Sequence, residues 1–309
     1  MQTKRLGSNG PDLSVVGYGA WEAGGGPWGP NESDDAVIGA MHAAIDAGIN
    51  WIDTAEVYGD GVSERLVGRA LDGRRDAVVL ASKLAPAPEG SGFRPDDVGR
   101  GCRASLERLG TDRIDLYQLH WPDEGDIQIE DTWGAMSTLV DEGLVRWIGV
   151  SNFDRDLIGR CEAIRHVDSL QPQFNMLDLE QRDLIAWCGE RGTGVVSYAP
   201  LAFGLLTGAV DRNTVSEISD WRTVGDETIF GDAELTRALP IVDSLRPVAE
   251  RLDITLAQLA LAWNRHQPGV TSAIAGSRNP DHVRSNAAAG DVALDAATLA
   301  ELDSLIASS

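Results

Sequence analysis

Four residues whose side chains move or steady protons stand in the first 120 positions: Asp53, Tyr58, Lys83 and His120. Two of them lie in INWIDTAEVYGDGVSE, residues 49–64, which opens as an apolar strand and then turns abruptly polar. A strand-to-helix turn needs a glycine and a cap, and Gly61 and Ser63 are available for those tasks. It does not need a carboxylate and a phenol five residues apart. A phenol with an ordinary pKa of about 10 is a poor proton donor at neutral pH. An ammonium beside it stabilises phenolate and lowers that value. Lys83 can supply the ammonium, Asp53 can pair with Lys83, and His120 can hydrogen-bond a carbonyl oxygen. Together they make a general acid with an orienting partner, suited to protonating an oxyanion as hydride arrives at carbon. Singly, each has a plainer explanation: a helix cap, a half-buried loop aromatic, a solvated charge, a structural histidine. The plainer explanations lose ground jointly, because all four sit by consecutive strand ends.

Those strand ends follow from the pattern of the chain. Short apolar, β-branched runs recur at 13–17, 49–53, 77–81, 114–119, 145–150, 170–174, 194–198 and 271–275. Between them lie segments of helical spacing, such as Val37, Met41 and Ile45, or Val98, Cys102, Leu106 and Leu109, with Ser33 and Ser63 as expected N-caps. Strand and helix alternating eight times in this length predict an α/β fold, a (β/α)8 TIM barrel, as one domain over 1–309. An open doubly wound sheet is the main competitor, but no G-x-G-x-x-G follows the first strand. Residues 4–6, the turn Ser8-Asn9-Gly10 and Leu13 predict an N-terminal β-hairpin at the barrel bottom, with Lys4 exposed on it. Residues 294–306 predict a C-terminal helix. Residues 201–232 have weak periodicity, and loops of that length in a compact domain are usually functional or mobile. In such a barrel the active site lies at the C-terminal strand ends. Polar residues gather there at nearly every strand.

The composition narrows the partners. The formal net charge of −22 repels phosphate backbones, which argues against nucleic acid and anionic membranes. No apolar run reaches spanning length and the first ten residues lack a signal core. Three widely spaced cysteines fit neither a disulfide framework nor a zinc site, so a cytoplasmic setting is expected and no metal. Of the 26 basic residues only Lys4 and Lys83 are lysines. Where a lysine survives such a bias, its chemistry is a candidate reason.

Several motifs in order resemble the aldo-keto reductases: IDTAEVYGDGVSERLVGRAL, VVLASKL, DRIDLYQLHWPD and GLVRWIGVSNF. The resemblance runs from the hairpin nearly to the end. It implies an NADPH-dependent reduction of aldehydes or ketones to alcohols, with NADH also possible and a small carbonyl or alcohol as substrate. It places the catalytic tetrad on Asp53, Tyr58, Lys83 and His120. The carboxamide contacts fall on Ser151, Asn152 and Gln173, and the ring stacked on nicotinamide on Tyr198. PLAFGLLTG resembles the loop over the pyrophosphate and implicates Leu201, Gly204 and Leu206. AGSRNPDHVRSN resembles the adenosine end, with Gly276, Ser277 and Arg278 near the 2′-phosphate and His282 and Asn286 further along. Some branches carry Lys where Gly276 stands, so phosphate binding leans on Arg278 and Ser277. Trp21, with a cofactor contact as well, and Trp121 line the implied substrate pocket beside Tyr58 and His120. Oligomeric state and the particular substrate are not implied. The alternative is a cofactor-binding regulatory subunit like the potassium-channel β subunits. A hydrolase with paired carboxylates fares worse, since only Asp53 is acidic directly at a strand end.

Overall fold

A side chain at Gly17 would collide with the indole of Trp51, 2.1 Å from its Cε2. That exchange of one strand's side chain for a neighbour's ring shows how this barrel fills its interior. In the computed structural model, which describes residues 1–224 and 229–307, eight parallel strands close on one another. They are β3 (Val16–Gly19), β4 (Trp51–Asp53), β5 (Val79–Leu84), β6 (Ile114–Leu119), β7 (Val145–Ser151), β8 (Ser169–Gln171), β9 (Gly194–Ser197) and β10 (Val270–Ile274). β10 pairs with both β9 and β3, so the barrel itself has no open edge strand.

The helices on the outside are α1 (Asp34–Asp46), α2 (Val62–Ala70), α3 (Pro95–Leu109), α4 (Ile129–Asp141), α5 (Arg155–Glu162) and α6 (Arg182–Glu190). They continue with α7 (Asp232–Arg251), α8 (Leu256–His266), α9 (Pro280–Ala288) and α10 (Ala296–Ala307). The spacing read from sequence is the buried stripe: Val37 and Met41 on α1, and Val98, Cys102, Leu106 and Leu109 on α3, are all buried. Ser33 caps α1 by accepting from the Ala36 amide. Ser63 does not cap α2; it lies inside that helix and its hydroxyl donates to the Ala20 carbonyl at 2.7 Å. The N-cap there is Gly61, in a left-handed conformation. Among the described residues no helix is long and apolar enough to cross a membrane. None of their His, Cys, Asp or Glu form a group of three or more that could hold a metal ion. The three cysteines are free and buried.

The N-terminal hairpin of β1 (Thr3–Arg5) and β2 (Asp12–Ser14) closes the bottom. Leu6 and Leu13 enter the barrel and pack with Trp51, Ala81, Leu116, Val196 and Ile274. Lys4 departs from expectation. Its ammonium is not free but donates to the carbonyls of Arg265, at 2.5 Å, and Val270, at 3.1 Å. Burial, then the charge of Arg265, pull its pKa below the ordinary lysine range. Of the long segment 201–232, residues 225–228 lie outside the described residues. The rest contains two short 3-10 turns, at Ala202–Thr207 and Thr214–Glu217, within otherwise irregular chain before α7 begins.

Candidate active site

At the C-terminal ends of the strands, parallel register carries side chains from distant sequence into one place. β4 pairs with β5 so that Asp53 faces Ala81, and β5 pairs with β6 so that Lys83 faces Gln118. Strand alternation then turns Ala81 and Lys83 to the same face of β5. Lys83 is fully buried and Asp53 is 2% exposed. The Lys83 ammonium donates to Asp53 Oδ2 at 2.5 Å, to the Thr54 carbonyl at 2.9 Å and to the Tyr58 phenol oxygen at 3.1 Å. Three donors thus meet three acceptors, which is what a buried ammonium requires.

Tyr58 is held by the turn after β4. Its amide donates to the Ala55 carbonyl, and its own carbonyl accepts from the Ser63 amide. Behind this turn the buried Glu56 carboxylate accepts from the amides of Ala85 and Ser91 and from the Ser91 hydroxyl at 2.6 Å. The loop carrying the phenol and the loop leaving the lysine strand are therefore tied together. The His120 ring meets the Tyr58 ring edge-on, with centroids 5.5 Å apart.

Electrostatics differ from the sequence expectation in one respect. Burial pushes the Tyr58 phenol above its ordinary value, more than the Lys83 ammonium pulls it back, and Asp53 adds to the rise. The phenol is therefore protonated across neutral pH, the form a proton donor needs. Burial works against the Lys83 charge, but Asp53 and Tyr58 outweigh it and the lysine pKa is raised. Burial, then the Lys83 charge, hold His120 well below its ordinary pKa, so its imidazole is neutral at pH 7. Its Nδ1 is buried without a hydrogen-bond partner.

On the opposite wall Ser151, Asn152 and Tyr198 come together. The Ser151 hydroxyl donates to the Gln171 carbonyl at 2.8 Å, and the Tyr198 hydroxyl donates to Asn152 Oδ1 at 3.0 Å. The Asn152 amide nitrogen reaches both the His120 carbonyl and Ser151 Oγ at 3.3 Å. Asn152 adopts φ of 60°, a left-handed conformation uncommon outside glycine though more tolerable for Asn. The Gln173 backbone bridges that of Tyr198, but its side-chain amide donates to Asp178 Oδ2 at 2.8 Å and makes no hydrogen bond to Ser151, Asn152 or Tyr198. Gln171, passed over in the sequence, donates to Asp53 Oδ1 at 2.9 Å. The pair Gln171 and Gln173 stand two residues apart, so alternation alone could not separate them. The register could have, because Ser151 pairs with Gln171.

The rim is aromatic. Trp21 lies 6.1 Å from the Tyr58 ring and 5.1 Å from both Trp28 and Trp221, measured between centroids. Phe203 packs on Trp221 at 5.2 Å, and Trp121 on His120 at 4.6 Å. Trp28, Trp221 and Phe203 escaped the sequence reading because they sit in loops without periodicity. The loop after β9 is strained: Ala199, Ala202 and Phe203 all have φ near 50°. In that loop Leu206 is buried in the core, Leu201 is half-buried and Gly204 has φ of 116°.

Past β10, Gly276 packs so closely on β3 that a Cβ would lie 2.2 Å from the Gly19 carbonyl oxygen, which accounts for a glycine there. The Tyr18 hydroxyl donates to the Ser277 carbonyl at 3.0 Å. Asn286 is buried on α9, and His282 is exposed on it. Arg278 is not an open cation. Nη2 donates to the Trp28 carbonyl at 2.9 Å, and Nη1 to the carbonyls of Gly29 and Pro30 and to Asn31 Oδ1 at 3.0–3.2 Å. Its Nε lies 3.9 Å from Glu22 Oε2.

The profile of the Aldo/keto reductase family matches residues 15–307. The aldo-keto reductase YhdN of Bacillus subtilis (strain 168) is 34% identical, covering 92% of this chain and 87% of its own. A probable voltage-gated potassium channel subunit beta of Arabidopsis thaliana is 30% identical over 94% of this chain and 92% of its own. The NADH-specific methylglyoxal reductase of Escherichia coli (strain K12) is 32% identical over 94% and 93%. Among solved structures, glycerol dehydrogenase AKR11B4 from Gluconobacter oxydans superposes with a TM-score of 0.88 at 30% identity, covering 99% of this chain and 95% of the other. An aldo-keto reductase from Klebsiella pneumoniae in complex with NADPH gives 0.77 at 33% identity, covering 99% and 96%.

Proposed function

The chain belongs to the Aldo/keto reductase family, whose members are NAD(P)H-dependent oxidoreductases, and from that premise we propose that it reduces aldehydes or ketones, with Tyr58 as the proton donor. The observation that carries this reading is the contact between Lys83 Nζ and the Tyr58 oxygen at 3.1 Å. The lysine donates in that contact, so the phenol's own proton is left to point at a substrate.

The residues present fit a nicotinamide cofactor. A carboxamide needs both donors and acceptors, and Ser151, Asn152 and Gln171 offer hydroxyl and amide groups on one wall beside the Tyr198 ring. Ser277, Arg278, His282 and Asn286 offer polar groups further out, where an adenosine end would lie, with Leu201, Gly204 and Leu206 in the loop between. NADPH is the favoured cofactor, as in the Klebsiella complex, and NADH is open, as in the E. coli relative. When bound, the reduced nicotinamide supplies hydride to the carbonyl carbon.

The protein's own side chains do the rest. The neutral His120 imidazole donates an N–H to the carbonyl oxygen and fixes its direction. Tyr58 transfers its proton to that oxygen as negative charge develops there. The Lys83 ammonium stabilises the phenolate left behind, and Asp53 keeps the ammonium in place. The rings of Trp21, Trp28 and Trp121 exclude water from the approach, which strengthens each of these interactions. Positioned proton transfer of this kind contributes roughly 10²–10⁴ in rate.

The likeness to the Arabidopsis β subunit favours a second reading, a cofactor-sensing regulatory subunit. One experiment addresses both: a panel of aldehydes and ketones followed by loss of NADPH absorbance, with NADH in parallel. Turnover of any carbonyl supports the reductase. Cofactor binding without turnover across the panel supports the regulator.

A further inference from the structure

The guanidinium of Arg278 has five N–H donors in a planar fork. Its Nη1 edge is committed to three acceptors of the loop after β3, and one Nη2 donor goes to the Trp28 carbonyl. The remaining edge, Nε with the second Nη2 proton, is the side on which an anion could still be held by two parallel bonds. That edge faces Glu22, whose Oε2 stands 3.9 Å from Nε. Glu22 is not a freely solvated carboxylate; its side chain is 28% exposed. Burial pushes its carboxyl up, and Arg278, Arg222 and His282 pull it back only in part, so it stays above the ordinary carboxylate value. The loop that carries Glu22 and Trp28 is also tied to the segment after β9, since the Trp221 amide donates to the Pro27 carbonyl at 3.4 Å and the Trp28 and Trp221 rings meet at 5.5 Å.

We propose that Glu22 is a specificity-determining residue for the nicotinamide cofactor, because it competes with a 2′-phosphate for the free edge of Arg278. The inference rests on the reading of Arg278 as the partner of that phosphate. A dianionic phosphate docking on the Nε edge is repelled by the carboxylate and must displace it. A 2′-hydroxyl carries no charge, and a carboxylate can accept its hydrogen bond. The carboxylate therefore weakens NADPH and leaves NADH nearly untouched, narrowing the gap that Arg278 alone would set.

The test is a set of dissociation constants for NADPH and NADH, read from quenching of tryptophan fluorescence, in the wild type, Glu22→Gln and Arg278→Ala. Glu22→Gln keeps the side chain's shape and removes its charge. It should tighten NADPH roughly three- to tenfold, the effect of removing one partly solvated charge pair, while changing NADH by less than about twofold. A parallel shift of both cofactors, or a weaker NADPH, overturns the proposal. Arg278→Ala tests the reading beneath it and should weaken NADPH far more than NADH. Equal weakening of both by Arg278→Ala removes Arg278 from the phosphate, and the proposal falls with it, whereas a selective loss in Arg278→Ala with no selective gain in Glu22→Gln overturns the role of Glu22 alone.

Discussion

Lys83 gives a hydrogen bond to Tyr58 and takes none from it: the ammonium donates to the phenol oxygen at 3.1 Å while its other protons go to Asp53 and the Thr54 carbonyl. A compact point charge fits among those three acceptors. A guanidinium, planar with donors fixed in a fork, does not. Lys83→Arg keeps the charge and a pairing with Asp53, so it should fold, yet it should lose nearly as much turnover as Lys83→Met, about 10²-fold or more. In both variants the Tyr58 step in the pH–rate profile should move or vanish. Steady-state kinetics across pH, with circular dichroism as a folding control, measure this; near-normal turnover in folded Lys83→Arg would refute the point-charge argument.

The other lysine answers to a different property. Lys4 donates to two main-chain carbonyls at the barrel bottom, so Lys4→Met leaves both without that donor. The expected loss is about 1–2 kcal/mol of unfolding free energy with turnover unchanged. Lys4→Arg should also destabilise, because the broader fork does not fit the two carbonyls the same way. Urea unfolding of the three proteins decides it, and wild-type midpoints would place the ammonium in solvent.

His120 should make stability fall on the acid side. Its folded pKa is depressed by burial and by Lys83. In the unfolded chain it protonates near pH 6.5, while in the folded chain it stays neutral. Its stabilising contribution is present above about pH 6.5 and is lost as pH falls toward the folded pKa, at up to about 1.4 kcal/mol per pH unit. His120→Gln removes that component. Unfolding free energies at pH 7 and pH 5 should thus drop less in the variant than in the wild type; an equal drop in both would mean the histidine titrates normally.

Gln171 and Gln173 offer a discriminating pair. Gln171→Leu removes a buried donor from Asp53, at a cost of about 1–3 kcal/mol, and should weaken cofactor binding. Gln173→Leu removes only a contact with Asp178 and should affect cofactor binding little. Cofactor titration of both variants tests this, and a larger loss in Gln173→Leu would reverse the assignment.

What the sequence reveals here divides along physical lines. The barrel is legible because eight covered parallel strands must read as apolar runs spaced by helices, and the grouping of Asp53, Tyr58, Lys83 and His120 is legible because strand ends gather what chain order separates. Gln171 is not legible from side-chain type, since Gln173 shares its alternation. Ser63 looks like a cap, but its hydroxyl is drawn into the turn, to Ala20 and Thr54. The direction of the Tyr58 shift is hidden because it is set by burial, which no motif reports. Lys4 looks exposed because its two carbonyl partners lie more than 260 residues away. The tryptophan rim depends on loops whose meeting point is fixed only by the closed barrel.

The most direct test of the whole account is the rate of hydride transfer in Tyr58→Phe, followed in a single turnover with saturating NADPH and a substrate found in the carbonyl panel. If Tyr58 delivers the proton, the ring remains, the cofactor dissociation constant is unchanged and the rate falls by roughly 10²–10⁴. A folded Tyr58→Phe protein that transfers hydride at close to the wild-type rate contradicts the account, because the lysine, the carboxylate and the phenol would then be arranged around a proton that the reaction does not use.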